Sequence, residues 1–393
     1  MYVHIDCNSY FASCEIATRP GLEGKPVVVA NDDGNGTGVI LALSAEAKAL
    51  GLKRGIPLFK VRDKLKADGV VVCKADHYKY RSISENIMQC VLEQGIVQDF
   101  VQYSVDEFFG TLPVEEPAEV RRYVTMVKDL IWEQNHIPVG CGCSQTYTLA
   151  KVATHFAKHY RGYRGVCVLT PDKRERALSL LKVGDVWGVG RQNRRHLEGA
   201  GIVTALDLAN AGQEMVSRLL NTAGMRTWNE LRGIPAVTLS NHERQKSISH
   251  SHSFPVMITD REGLASELRS FVSRCATTLR RQGSLCSMVT VFVNTNRYRD
   301  DLPQYNNGVS VRLAKPTADT TELLHTVGNM LDQIYRKGYQ YKRAGVILGG
   351  IVSDEGHQLD LFTVEADERR RRLMEVADGI NRRFGRNSVA FGI

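Results

Sequence analysis

The chain has 393 residues, a formal net charge of +8 and 43% hydrophobic residues, enough apolar material to bury cores in more than one domain. No export-type apolar segment opens it and no apolar run is long enough to cross a membrane, so a cytoplasmic protein with no membrane role is expected. Its 9 cysteines are odd in number and form no Cys-x-x-Cys pair, which argues against a disulfide framework or a zinc site, while a pI near 9.0 hints at a polyanionic partner.

The first predicted element is a strand, Tyr2-Val3-His4-Ile5, ending at Asp6. A helix is expected to follow, with Asn8 or Ser9 able to cap it. Gly21 to Cys73 is rich in glycine and short strands and contains one helical stretch, Ala45 to Leu50. Val101 to Val105 and Phe108 to Gly110 then read as the arms of a hairpin with Asp106-Glu107 at its tip. Neighbours on a regular strand point to opposite faces, so these two acids can share a site only because the chain turns there. Val120, Tyr123, Val124, Val127 and Ile131 repeat with helical spacing. A strand from Ile137 to Cys143 follows, with Cys141 and Cys143 on one face as small core residues, and then a helix from Thr148 to Lys158. Strand, helix, hairpin, helix and strand in this order make an α+β layer with the hairpin beside the first strand.

From Val166 the chain changes character. Val186-Trp187-Gly188-Val189-Gly190, followed by Gly199-Ala200-Gly201-Ile202, reads as a helix-hairpin-helix. Its glycines let backbone N–H groups approach a phosphate, and a following helix N-terminus favours an anion. An ordinary glycine-rich turn is the alternative, and the basic Arg191, Arg194 and Arg195 weigh against it. Ser240 to Lys246 looks like an exposed linker. Beyond it, four β-like segments alternate with helix-like ones at Leu264 to Arg280 and Thr321 to Arg336, a second α/β layer. Linker and strands carry Arg244, Lys246, Arg297, Arg299, Arg312 and Lys342.

Three carboxylates, Asp6, Asp106 and Glu107, thus sit at the tips of two strand-like segments. Hard oxygen ligands suit Mg²⁺, which needs few carboxylates when substrate phosphates complete its shell. An isolated aspartate would more simply be a solvated turn residue, but the flanking residues matter here. Asp6 opens Asp6-Cys7-Asn8-Ser9-Tyr10-Phe11-Ala12-Ser13-Cys14-Glu15, and the second site reads Ser104-Val105-Asp106-Glu107. In both, the sequence resembles the Y-family, or translesion, DNA polymerases. Ala45 to Gly51 and Asp185 to Gly190 look like the UmuC branch, the catalytic subunit of bacterial DNA polymerase V and its plasmid-borne relatives. The resemblance runs from residue 1 to about Phe384.

The resemblance implies a multidomain right-hand polymerase of α+β class. Its expected parts are a ferredoxin-like palm (1–20 and 74–165), small fingers (21–73) and a helix-hairpin-helix thumb (166–235). A linker (236–245), an α/β little finger (246–352) and a tail (353–393) follow. It also implies two Mg²⁺ ions, bridged by Asp6 and Asp106, with Glu107 on the primer side and the Cys7 carbonyl on the nucleotide side. Lys158 matches the palm lysine that meets the triphosphate of an incoming deoxynucleotide. Lys48 stands where many relatives have Arg, giving a point charge instead of a planar fork, and Ala45 replaces a Tyr that bonds the triphosphate elsewhere. Phe11 is the implied steric gate against ribonucleotides. Gly188, Gly190, Arg191, Lys246, Arg297 and Arg312 are expected on primer-template phosphates.

Gln358-Leu359-Asp360-Leu361-Phe362 looks like the bacterial sliding-clamp motif, with Gln358, Leu359, Leu361 and Phe362 as the contacts. By resemblance the further partners are a UmuD-like processed dimer and RecA, and the setting is the SOS response to DNA damage, on the nucleoid. Longer relatives continue past Ala390-Phe391-Gly392 with an aromatic and basic tail, where this chain stops at Ile393. Two other readings compete: a non-catalytic DNA- and clamp-binding scaffold, and a palm-fold nucleotide cyclase. Intact Asp6, Asp106 and Glu107 count against the first, and a cyclase has no use for a helix-hairpin-helix or a clamp peptide.

Overall fold

The structure, a computed structural model, describes residues 1–31, 38–239, 245–354, 364–385 and 388–389. The chain divides into two compact units, Met1–Asn241 and His242–Ile393.

In the first unit, β1 (Tyr2–Cys7) buries Val3, Ile5 and Cys7 on one face and turns His4 and Asp6 to the other. The helix α1 (Tyr10–Thr18) follows at once, but the expected side-chain cap is not made. Ser9 has φ 49°, in the left-handed region, whereas a capping side chain reaches the first turn from extended backbone. The Ser9 hydroxyl instead accepts a hydrogen bond from Lys48 Nζ at 2.7 Å, and the Ser13 hydroxyl donates to the Asn8 carbonyl at 2.6 Å.

An insertion then builds its own small sheet. It contains β2 (Val27–Ala30), β3 (Ile40–Leu43), α2 (Ala45–Ala49), α3 (Arg62–Ala67) and β4 (Val71–Lys74), with strand order β3-β2-β4. The central strand is buried along its whole length, and Val28, Ile40, Leu43 and Leu58 share a separate core.

Next come α4 (His77–Gln94), β5 (Gln98–Gln102), β6 (Glu107–Thr111), α5 (Pro117–Asn135), β7 (Val139–Ser144), α6 (Tyr147–His159) and β8 (Val166–Val168). With β1 they form a five-stranded sheet of order β5-β6-β1-β7-β8. Its first four strands and the helices α4 and α5 make the β-α-β-β-α-β arrangement of a ferredoxin-like layer. Val120, Val124, Val127 and Ile131 of α5 are all buried, as their spacing predicts. α6 packs on the opposite face, the one carrying His4 and Asp6. Two glycines make that possible: a Cβ on Gly142 would run into the Thr154 amide and the Ala150 carbonyl, and one on Gly140 into the Lys158 stem. Cys141 and Cys143, alternating with them, point into the core with α5, and both are free thiols.

The other side of α6 packs on a helical group, α7 (Pro171–Leu180), α8 (Arg191–Gly199), α9 (Ala205–Asn210), α10 (Gln213–Leu219) and α11 (Thr222–Leu231). Leu149, Val152 and Phe156 of α6 share one cluster with Leu178, Leu197, Leu208 and Trp228. The expected helix-hairpin-helix is modified at its start. A 3-10 turn, Val183–Asp185, precedes the hairpin, and its Gly184 packs directly against the Arg194 side chain.

The second unit is a four-stranded antiparallel sheet, β9 (Ile248–Ile258), β10 (Ser284–Thr295), β11 (Asn306–Thr317) and β12 (Tyr341–Ser353), in the order β11-β10-β12-β9. Two helices, α12 (Arg261–Arg281) and α13 (Thr320–Ile334), cover one face. A last helix, α14 (Val364–Phe384), is tied to α12 by Asp378, which pairs with Arg280 at 2.7 Å. Two of the basic residues carried by the linker and strands are already committed here. Arg299 pairs with Asp301 at 2.6 Å, and Lys342 donates to the Phe254 carbonyl at 2.5 Å.

Candidate active site

The ladder of the five-stranded sheet brings the acids together. Asp6 lies directly opposite Glu107 in the β1–β6 register, and the Cys7 amide donates to the Asp106 carbonyl at 2.9 Å. The chain turns sharply just before β6, where the amides of Tyr103 and Ser104 both donate to the Glu107 carbonyl, at 2.9 and 3.1 Å. The Ser104 hydroxyl donates to Asp106 Oδ1 at 2.6 Å. Two lysines from one face of α6 complete the group: Lys158 Nζ is 2.5 Å from Asp6 Oδ1, and Lys151 Nζ is 2.9 Å from Glu107 Oε1.

Electrostatics set the three apart. Burial raises the Asp6 pKa, only partly offset by Lys158, and the negative charges of Glu107 and Asp106 push the same way. Glu107 is pulled the other way: burial opposes its charge, but contacts with His4 and Lys151 outweigh it and hold its pKa at about 2. His4 Nε2 is 3.7 Å from Glu107 Oε1, too far for a hydrogen bond, so Lys151 carries most of that effect. Burial lowers the His4 pKa to about 4. Its Nδ1 lies 2.9 Å from the Thr154 hydroxyl, and its buried Nε2 has no hydrogen-bond partner.

The donor set fits Mg²⁺ in kind: three carboxylates and a backbone carbonyl are all hard oxygens. Among the described residues, no three acidic, histidine or cysteine side chains converge closely enough to hold an ion, and the two lysines sit against Asp6 and Glu107.

Phe11 forms a wall nearby. Its ring stacks on Tyr80 at 4.5 Å and 17° and meets His77 edge-on at 5.5 Å. Tyr80 is held in turn by its hydroxyl on Glu15 Oε1 at 2.8 Å, and Lys79 pairs with the same oxygen at 2.7 Å. Lys48 reaches the β1–α1 turn through Ser9. Gly188 has φ 85°. Gly190 stands at the N-cap of α8 without a side-chain cap, which leaves first-turn amides open to an anion beside the exposed Arg191.

In the second unit, Lys246 and Arg312 are exposed, and Arg297 lies over the Tyr298 ring at 4.8 Å. Gln358, Leu359, Leu361, Phe362 and Arg244 lie outside the described residues. Sequence reasoning passed over His4, Lys151 and Trp187 as parts of the site. His4 shares a strand face with Asp6, and Lys151 lies two helical turns from Lys158, so both were legible in principle. Trp187 arrives from a distant hairpin, and nothing local announces it.

Residues 5–155 match the impB/mucB/samB family and residues 245–361 its C-terminal domain. Protein UmuC of Salmonella typhimurium is 36% identical across 100% of this chain and 93% of its own length. DNA polymerase IV of Methanoculleus marisnigri is 31% identical over 76% of this chain and 80% of its own. The fold matches that of a solved Y-family DNA polymerase chimera with a TM-score of 0.73 and 19% identity, over 90% of this chain and 99% of that one. With its acids at adjacent strand tips and this full-length similarity, the chain belongs to the impB/mucB/samB family, the UmuC branch of the Y-family translesion DNA polymerases.

Proposed function

We propose that the chain copies damaged template DNA with low fidelity during the SOS response, at a site built from Asp6, Asp106, Glu107 and the Cys7 carbonyl. The observation that carries this reading is the direct pairing of Asp6 with Glu107 across β1 and β6, with Asp106 in the turn between the arms. Two Mg²⁺ ions held there would polarise the primer 3′-hydroxyl and neutralise charge on the leaving pyrophosphate.

The chain's own residues prepare that reaction. Lys158, now paired with Asp6, is the cation a triphosphate would draw away from its carboxylate. Lys48 offers a second point charge. Phe11, braced by Tyr80 and His77, would exclude a 2′-hydroxyl by shape, and a Phe11→Ala variant that still rejects ribonucleotides would remove it from that role. Gly188, Gly190 and Arg191 would bind backbone phosphates, as would Lys246, Arg297 and Arg312. The proposed partners are primer-template DNA, deoxynucleoside triphosphates, the sliding clamp through Gln358 to Phe362, a UmuD-like processed dimer and RecA.

The test is primer extension on a template with one abasic site, with Mg²⁺ and dNTPs, by the purified chain alone and with the processed dimer and RecA filaments. Extension past the lesion is expected in at least one arm. No extension in either arm, on damaged or intact template, would contradict the reading.

A further inference from the structure

Lys151 has no part in the reaction as derived above, yet it is the most enclosed cation of the site. Its Nζ lies 2.9 Å from Glu107 Oε1. It also faces three aromatic rings, with centroids at 5.2 Å for Tyr103, 5.6 Å for Phe109 and 5.2 Å for Trp187. The rings come from the turn before β6, from β6 itself and from the hairpin before α8. Trp187 Nε1 donates to the Tyr103 hydroxyl at 3.2 Å, so the cage is braced across the cleft between sheet and helices.

This enclosure has a physical consequence. Glu107 faces His4 and Lys151, and Asp6 faces Lys158. A divalent ion bound by Glu107 and the ammonium of Lys151 cannot both rest on one carboxylate without strong repulsion at contact distance. An ammonium pushed off Glu107 would not have to return to bulk water, because the ring faces attract a cation.

We propose that Lys151 is a positioning residue for this enzyme: the resident counter-ion of Glu107, which a divalent cation must displace toward the Tyr103, Phe109 and Trp187 rings. Lys151 thereby keeps the acids compensated in the metal-free protein and sets how tightly the first ion binds. This rests on Glu107 being a metal ligand.

The experiment is Mn²⁺ binding to the full chain without DNA or nucleotide, followed by electron paramagnetic resonance of the free ion. Lys151→Met keeps the stem and removes the charge, and should tighten Mn²⁺ binding about fivefold, the scale of one partly screened charge pair. Lys151→Arg should bind as weakly as wild type or more weakly. A Met variant that binds no tighter than wild type overturns the proposal. Glu107→Ala separates the two layers. If it binds Mn²⁺ as well as wild type, Glu107 is not a ligand and both readings fall. If it loses binding while the Met variant matches wild type, only the counter-ion role falls. Should the Met variant misfold by circular dichroism, wild-type emission decides: Mn²⁺ should change the fluorescence component that Trp187→Phe removes, and no change overturns the proposal.

Discussion

His4 is the side chain in the site that acidification below pH 6.5 reaches first. It is 1% exposed, and burial lowers its pKa from 6.5 to about 4. Between those values the unfolded chain binds a proton that the folded chain refuses, so stability is lost as pH falls through that window. The full shift corresponds to about 3 kcal/mol. Urea midpoints measured at several pH values should show an acid-side loss of stability in wild type that His4→Leu largely removes. An identical pH dependence in both proteins would mean that His4 is not held neutral. Glu107, whose contacts hold its pKa at about 2 against an ordinary 4.5, adds its own acid-side loss from about pH 4.5 downward, so the comparison is read between pH 6.5 and 4.5.

At the scale of elements, α1 and α4 are joined by a buried carboxylate. Glu15 is 0% exposed and takes Lys79, Arg19 and the Tyr80 hydroxyl. Removing it strands the buried Tyr80 hydroxyl and frees Lys79 and the largely exposed Arg19 to water, a cost of about 1–3 kcal/mol. Glu15→Ala should therefore lower stability by that order in urea unfolding and loosen the Tyr80 platform under Phe11. A loss below about 1 kcal/mol would place the pair among weak surface contacts.

Elements with a strong period were legible in the sequence: α5 from its buried valines, β1 from its alternation, and the hairpin from aromatic arms around two acids. The turn at Asp106 followed from the rule that adjacent strand residues face apart. What stayed hidden depends on tertiary contact. Ser9 fails as a cap because its backbone is left-handed, which no residue type there announces. Nothing in the sequence marks Gly140 and Gly142, whose purpose shows only once α6 lies across them. Lys151 shares a helix face with Lys158, but its place in the site shows only from its contacts with Glu107 and the Trp187 ring.

At the scale of the whole molecule, the basic charge suits a DNA-binding chain, but charge alone gives no residence time on a template. Gln358 to Phe362, outside the described residues, is the proposed tether. It would make rebinding intramolecular at roughly millimolar effective concentration. Burying Leu361 and Phe362 in a pocket on the clamp would contribute roughly 3–6 kcal/mol before ordering costs. Replacing both with Ala should reduce clamp-stimulated synthesis while clamp-independent synthesis and melting temperature hold. A loss of stability with stimulation intact would instead assign the two side chains to the chain's own packing.

In the proposed mechanism, chemistry resides in the acids at the strand tips while DNA affinity resides elsewhere. Primer extension and primer-template affinity, measured together on wild type, Asp106→Ala and Glu107→Ala under the same conditions, test it most directly. Both variants should lose extension by several orders of magnitude and keep the wild-type dissociation constant for DNA within about twofold, because phosphate contacts dominate affinity. Extension retained by either variant would contradict the assignment of its acid to catalysis.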